Sequence, residues 1–167
     1  IETREESKKT VAWDEKKGFT EHVFDYTSDV MNTKDFFAQE SGMFMAKVRS
    51  QGAGHHFFGL STGKMNNPMI ALYHYNGKTH QMGLVNGAKT QMADLTGMLR
   101  SMYYVYTFRW TKHELVWYVN DMEVLRLPNR LPKEAMFFLA QSWLPMSEKG
   151  GEGKLKIQWA RVYRSVD

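Results

Sequence analysis

Period two is the pattern that most limits how this chain can fold. Across Tyr103–Trp110, Tyr104, Tyr106, Phe108 and Trp110 share one side of an extended strand, and Tyr103, Val105, Thr107 and Arg109 share the other. In the next run, Leu115, Trp117 and Val119 oppose Val116 and Tyr118. Similar short runs are Thr10–Trp13, Met43–Arg49, His55–Ser61, Met69–Tyr75, Gln81–Val85, Glu123–Leu127, Ala135–Trp143 and Leu155–Tyr163. Turn formers separate them: Lys17-Gly18, Gly52-Ala53-Gly54, Asn66-Asn67-Pro68, Asn76-Gly77, Asn86-Gly87, Asn120-Asp121 and Gly150-Gly151. Many short strands at this spacing predict an all-β antiparallel sandwich or barrel.

Asn76-Gly77 suits a two-residue type I′ hairpin, because both central residues of that turn need positive φ. Asn86-Gly87 suits the same turn, and Asn120-Asp121 predicts a hairpin between Leu115–Val119 and Glu123–Leu127. Thr90–Ser101 places Met92, Leu95, Met98 and Leu99 near helical spacing, but Gly97 interrupts them; it reads as a loop with at most one helical turn. Residues 1–9 read as a polar arm or short edge piece, and 10–167 as a single domain, long enough for a substantial core.

Composition excludes several classes. With no cysteine, there is no disulfide, zinc–thiolate site or cysteine nucleophile. The net charge of +4 is spread without a basic run, so no nucleic-acid partner is expected, while an affinity for anionic glycans stays open. No segment approaches the ~20 apolar residues of a membrane helix, and no leader is read at the start, which opens on Ile1. The twelve methionines, several of them between Met65 and Met102, read as adaptable core filling, with a methionine-rich interaction surface as the alternative. Aromatic residues make up 14% of the chain, and several strands are apolar on both faces. One face must be core. The other is either covered by a second layer or left as an aromatic surface on which sugar rings can stack.

Several segments, in order, resemble the family-16 glycoside hydrolases. They are Asp29-Val-Met-Asn-Thr-Lys34, Gly42-Met-Phe-Met-Ala-Lys-Val-Arg49, His56-Phe-Phe-Gly-Leu60, Tyr103–Trp110 with Leu115–Asp121, Met136–Trp143 after Leu131-Pro132, and Ile157-Gln-Trp-Ala-Arg-Val-Tyr163. The resemblance runs from about Tyr26 to Arg164. It implies a concanavalin A-like jelly roll with a glycan cleft on its concave face, an extracellular or cell-surface location, and either a compact form of the domain or first strands that lie outside this chain.

The resemblance also implies where catalysis would sit. The family carries Glu-x-Asp-x-(x)-Glu on one strand, giving a nucleophile, a tuning Asp and an acid/base; retention of configuration needs two carboxyls ~5–5.5 Å apart. The matching strand here is Met69–Tyr75, and the bulged form of the motif places Met69, Ala71 and His74 at those positions. None is a carboxylate, and no Asp or Glu occurs between Glu40 and Asp94. Glu40, Asp94, Glu114, Glu123, Glu134 and Glu148 are expected to be solvated charges rather than a relocated pair.

The resulting expectation is a non-catalytic carbohydrate-binding, lectin-like module that takes a polysaccharide or oligosaccharide and needs no cofactor. The resemblance places Trp143, Gln141, His74, Tyr104, Phe58, His56, Met69 and Ala71 on the cleft face, with Trp143 foremost. A second expectation is an assembly module that binds protein through the same face or a sheet edge. A third is a glycosidase or polysaccharide lyase with other catalytic residues, for instance His74 with Tyr73, Tyr75 or Tyr104. His74 and His80 could also approach each other across the Asn76-Gly77 turn, with His55 and His56 on the neighbouring strand; they are read as polar lining rather than metal ligands.

Overall fold

The computed structural model describes every residue except 65–66, 87–88, 146–149 and 165–167. The Asn86-Gly87 turn, Met65 and Glu148 therefore fall wholly or partly outside the described residues. The described residues form thirteen strands: β1 Glu2–Asp14, β2 Gly18–Ser28, β3 Val30–Asn32, β4 Gly42–Gly52, β5 His55–Ser61, β6 Met69–Tyr75, β7 His80–Val85, β8 Gln91–Asp94, β9 Tyr104–Trp110, β10 Glu114–Val119, β11 Met122–Pro128, β12 Phe137–Trp143 and β13 Gly153–Tyr163. They make two antiparallel sheets. One has the order β11-β10-β9-β4-β13-β1-β2, the other β3-β12-β5-β6-β7-β8. No helix among the described residues is long and apolar enough to cross a membrane.

The core lies between the sheets. Phe44, Ala46 and Val48 of β4, Tyr106, Phe108 and Trp110 of β9, and Leu115 and Trp117 of β10 face Phe58, Leu60, Ile70, Leu72, Tyr73 and Phe138 of the other sheet. These are the alternate positions that the period-two pattern marks in β9 and β10. Met82 and Met136 are fully buried, as core filling requires, whereas Met102 is exposed.

The turns are of two kinds. At the β10–β11 turn, Asn120 and Asp121 both have positive φ, 46° and 65°, matching the twist of a tight hairpin. Asp tolerates this conformation; a β-branched residue does not. Asp121→Val is expected to lower stability by about 1–2 kcal/mol in urea unfolding, and Asp121→Gly to be nearly neutral. The β6–β7 connection departs from expectation. It has four residues, and the Asn76 side-chain oxygen accepts from the backbone N–H groups of Lys78 and Thr79 at 3.1 and 2.9 Å. Only Gly77 there has positive φ. The asparagine caps the turn with its side chain instead of entering the left-handed region.

Two further differences concern the ends of the sheets. Gln91–Asp94, read as loop, is an edge strand paired with β7. Residues 1–9, read as a polar arm or short edge piece, supply from Glu2 onward the start of β1, which joins the seven-stranded sheet through Glu2↔Lys154 and Thr3↔Gly153. The rest of β1 pairs only with β2, giving a projecting two-stranded ribbon.

Candidate functional site

Strand β6 decides which side chains leave the core on the six-stranded sheet. On β5, Phe58 pairs with Tyr73 but Gly59 pairs with Ala71; on β7, Gly83 pairs with Ala71 and Gln81 with His74. Both neighbours thus register one extra residue in β6, a β-bulge. Leu72 and Tyr73 consequently both point into the core. The alternation resumes one residue late, and Met69, Ala71 and His74 share the outer side, Met69 and His74 partly exposed and Ala71 fully covered. Trp117 fixes the bulge from below, its buried indole N–H donating to the Ala71 carbonyl at 3.1 Å.

Strand β12 adds Gln141 and Trp143 to this face, since Phe138 and Ala140 belong to the core. Directly paired residues of antiparallel strands share a face. Trp143↔His55 and Gln141↔Phe57 therefore place His55 and Phe57 on this side as well, His55 partly exposed and Phe57 buried at 2% exposure. An aromatic patch results. The His74 ring stacks on Trp143 at 6.3 Å and 12°, His55 lies 5.3 Å from Trp143, and Phe57 meets His74 edge-on at 6.3 Å. Beside it, Gln81 donates to the Asp94 carboxylate at 2.7 Å and accepts from the Asn76 amide at 3.3 Å.

Burial holds the His74 imidazole below its ordinary pKa; nearby His55 acts in the same direction, and a hydrogen bond with Gln81 opposes both. His74 is thus neutral near pH 7. Its Nδ1 is buried without a hydrogen-bond partner among the described residues. The patch therefore offers flat ring faces and neutral donor or acceptor groups, a combination suited to sugar C–H faces and hydroxyls.

Five of the eight expected residues, Met69, Ala71, His74, Gln141 and Trp143, lie on this face. Three do not. His56 and Phe58 point into the core: His56 is 0% exposed, stacks on Tyr75 at 6.3 Å, and its Nδ1 lies 2.8 Å from Ser142 Oγ. Because β5 is apolar on both faces, its sequence does not reveal its phase. Tyr104 lies on β9 of the opposite sheet, packed against the core with its hydroxyl accepting from the Leu99 N–H. The His74–tyrosine pairing is overturned likewise, since Tyr73 and Tyr75 are buried beneath the sheet. His74 and His80 do not meet either: the pairs are Tyr75↔His80 and His74↔Gln81, so the two histidines occupy opposite faces. His55, read from the sequence as polar lining, does lie on this face, whereas Phe57 was missed, and only its pairing with Gln141 in the β5–β12 register identifies it.

The carboxylates lie elsewhere. Strands β3, β12, β5, β6, β7 and β8 contain one between them, Asp94. Glu114 and Glu123 do come together, but on the edge of the opposite sheet, where both bond Arg126 and Glu114 also bonds Arg109 at 2.6 Å. Arg126 holds both carboxyls below the usual range. Glu134 pairs with Lys64 at 2.9 Å.

Residues 55–161 match the family model for glycosyl hydrolases family 16, and the chain belongs to that family. It is 28% identical over 120 residues to an endo-1,3-1,4-beta-glycanase of Rhizobium meliloti, a match covering 62% of this chain and only 24% of that protein. The laminarinase catalytic domain of Thermotoga petrophila superposes with a TM-score of 0.74 at 16% identity, over 99% of this chain and 77% of that one. The kappa-carrageenase of Pseudoalteromonas carrageenovora, solved with a kappa-carrageenan oligosaccharide, gives a TM-score of 0.66 at 16% identity, over 96% and 78% of the two chains. These likenesses bear out the sandwich as the family's jelly roll.

Proposed function

We propose that this chain is a non-catalytic carbohydrate-binding domain, acting outside the cell, that holds a glycan on the outer face of its six-stranded sheet. The carrying observation is the chemistry of that sheet: six strands with one carboxylate, and Met69, Ala71 and His74 on the bulged strand. Hydrolysis with retention needs two carboxyls ~5–5.5 Å apart, and inversion needs two at ~6.5–9.5 Å. Asp94 is a single carboxylate on the edge strand, two strands from His74 and bonded to Gln81. His74 can exchange a proton but has no carboxylate partner in the sheet. Trp143, stacked on His74, supplies the sugar platform; Gln141 and His74 supply hydrogen bonds to hydroxyls.

Affinity electrophoresis in gels containing laminarin or mixed-linkage β-glucan tests this reading. The wild type should be retarded, and Trp143→Ala should lose at least tenfold in affinity, since truncating an aromatic hot spot costs about 2 kcal/mol or more. Equal retardation of the two proteins would remove Trp143 from the site.

One observation favours a second reading, an assembly module. The β1–β2 ribbon exposes Trp13 (66%) and Phe19 (76%), which pair across its tip with ring centroids at 5.1 Å, and Val11 and Val23 are exposed nearby. In addition, Lys156–Tyr163 of β13 have β4 on one side and no paired strand on the other among the described residues. Open edges and apolar ribbons accept partner strands. Light scattering after size exclusion discriminates: a monomer at every concentration argues against self-assembly through these edges.

A further inference from the structure

A cation without an anion lies at the Asn76–Thr79 end of the sandwich. Arg100, on the connection between β8 and β9, is half buried. Its guanidinium carbon stands 3.7 Å from the centroid of the Tyr75 ring, and its Nε donates to Ser50 Oγ at 3.4 Å. Its Nη2 is buried with no hydrogen-bond partner, and no ion pair joins it to a carboxylate among the described residues. A guanidinium taken out of water ordinarily keeps an anionic, often bidentate, partner, because an unmet charge is costly to bury.

A second unpartnered group lies on the same cavity. His80, only 6% exposed, packs its ring between Tyr73 and Tyr75 at 5.5 and 5.2 Å, and its Nε2 has no hydrogen-bond partner among the described residues. Burial and the neighbouring Arg100 keep this imidazole neutral, with a pKa of about 4. A neutral imidazole can donate one hydrogen bond without adding a buried charge. The cavity, of about 320 Å³, is lined by Tyr75, Lys78, His80, Asp94, Thr96 and Arg100 among others. Lys78 and Arg100 are its cations. The one carboxylate among its lining residues, Asp94, is engaged by Gln81.

We propose that this pocket takes the oxyanion of an acidic sugar, a carboxylate or a sulfate ester, with Arg100 Nη2 and His80 Nε2 donating to it and Lys78 at the rim. The oxyanion part stands on the pocket alone. That its carrier is a sugar rests on the glycan-binding reading above.

The test uses the intact chain, labelled for NMR, at pH 7, with glucuronic acid, sulfated glucose, neutral glucose and sodium sulfate as separate titrants. The acidic sugars should bind at least tenfold tighter than glucose and should shift the His80 imidazole and Arg100 guanidinium resonances. The tighter of the two names the substituent. Arg100→Gln should erase the tenfold advantage and leave glucose affinity unchanged, whereas Trp143→Ala, on the other face of the sheet, should leave the acidic preference in place. Equal affinities for glucose and the acidic sugars, or a full acidic preference in Arg100→Gln, would overturn the pocket while leaving glycan binding intact. Shifts at His80 and Arg100 with sodium sulfate, but no binding of any sugar, would uphold the oxyanion pocket and remove its sugar. Should Arg100→Gln fail to fold, the wild-type shifts and the charge-conserving Arg100→Lys, which loses the fork, carry the same decision.

Discussion

Lowering the pH from 7 to 4 should remove several kcal/mol of folding stability, with most of the loss above the carboxylate range. His56 and His80 are the cause. Each is buried, and each has its pKa pushed down from 6.5 to about 4, chiefly by burial, with Arg100 acting in the same direction. The native state therefore favours the neutral rings. As the pH falls below 6.5 the unfolded chain takes up protons that the native state refuses, so stability declines; below about 4 both states are protonated and the slope vanishes. At about 1.4 kcal/mol per pKa unit, the loss is roughly 3 kcal/mol for His56. It is less for His80, whose ring edge reaches a cavity where water screens the charge. Total stability of a domain is only about 5–15 kcal/mol, so acid should shift the unfolding midpoint strongly. Urea denaturation at pH 7.5, 6, 5 and 4 measures this. NMR should show the His56 ring untitrated down to pH 5, and titration of that ring near 6.5 in the folded protein would refute the assignment.

Trp117→Ala should cost about 4–5 kcal/mol, the largest loss from any single core substitution discussed for this chain. Trp117 is fully buried among aromatic neighbours, 4.8 Å from the Phe108 ring, and its indole N–H is the donor to the bulge carbonyl of Ala71. Truncation leaves a cavity and an unsatisfied carbonyl. Trp117→Phe separates the two terms: it keeps most of the volume but loses the donor, at about 1–3 kcal/mol. The consequence should reach the outer face. The bulge sets Met69, Ala71 and His74 in phase, so Trp117→Phe should also weaken glycan retardation, although its ring lies on the far side of the sheet. A Trp117→Phe protein with unchanged stability and unchanged retardation would show that the indole bond does not hold the bulge.

Much of this architecture is legible in the residues, and the gaps have physical reasons. Strands β4–β7 and β9–β13 follow from alternation and turn chemistry, because each has a strong apolar face. Strand β3 is three residues long, β8 four, and β2 buries little; such elements exist because a neighbour pairs with them, and pairing is not written locally. The site shows the same division. The bulged phase of β6 is legible only through the family resemblance, whose bulged motif places Met69, Ala71 and His74 together. The phase of β5 was not, since His55-His-Phe-Phe58 is equally apolar on both faces and a shift of one residue exchanges them. Tyr104 was misplaced for another reason: alternation gives the face of a strand, not the sheet to which it belongs. The Arg100 cavity was invisible because it joins β6, β7 and a loop that no local pattern connects.

The outer face is proposed to bind glycan without cleaving it. The direct measurement incubates the wild-type chain with laminarin and with mixed-linkage β-glucan, and follows bound fraction and new reducing ends in the same samples. Saturable binding with no reducing ends above the no-protein control is the predicted result. Reducing ends accumulating in proportion to protein, and abolished by His74→Ala or Asp94→Asn, would contradict it and place a working catalytic pair on this sheet.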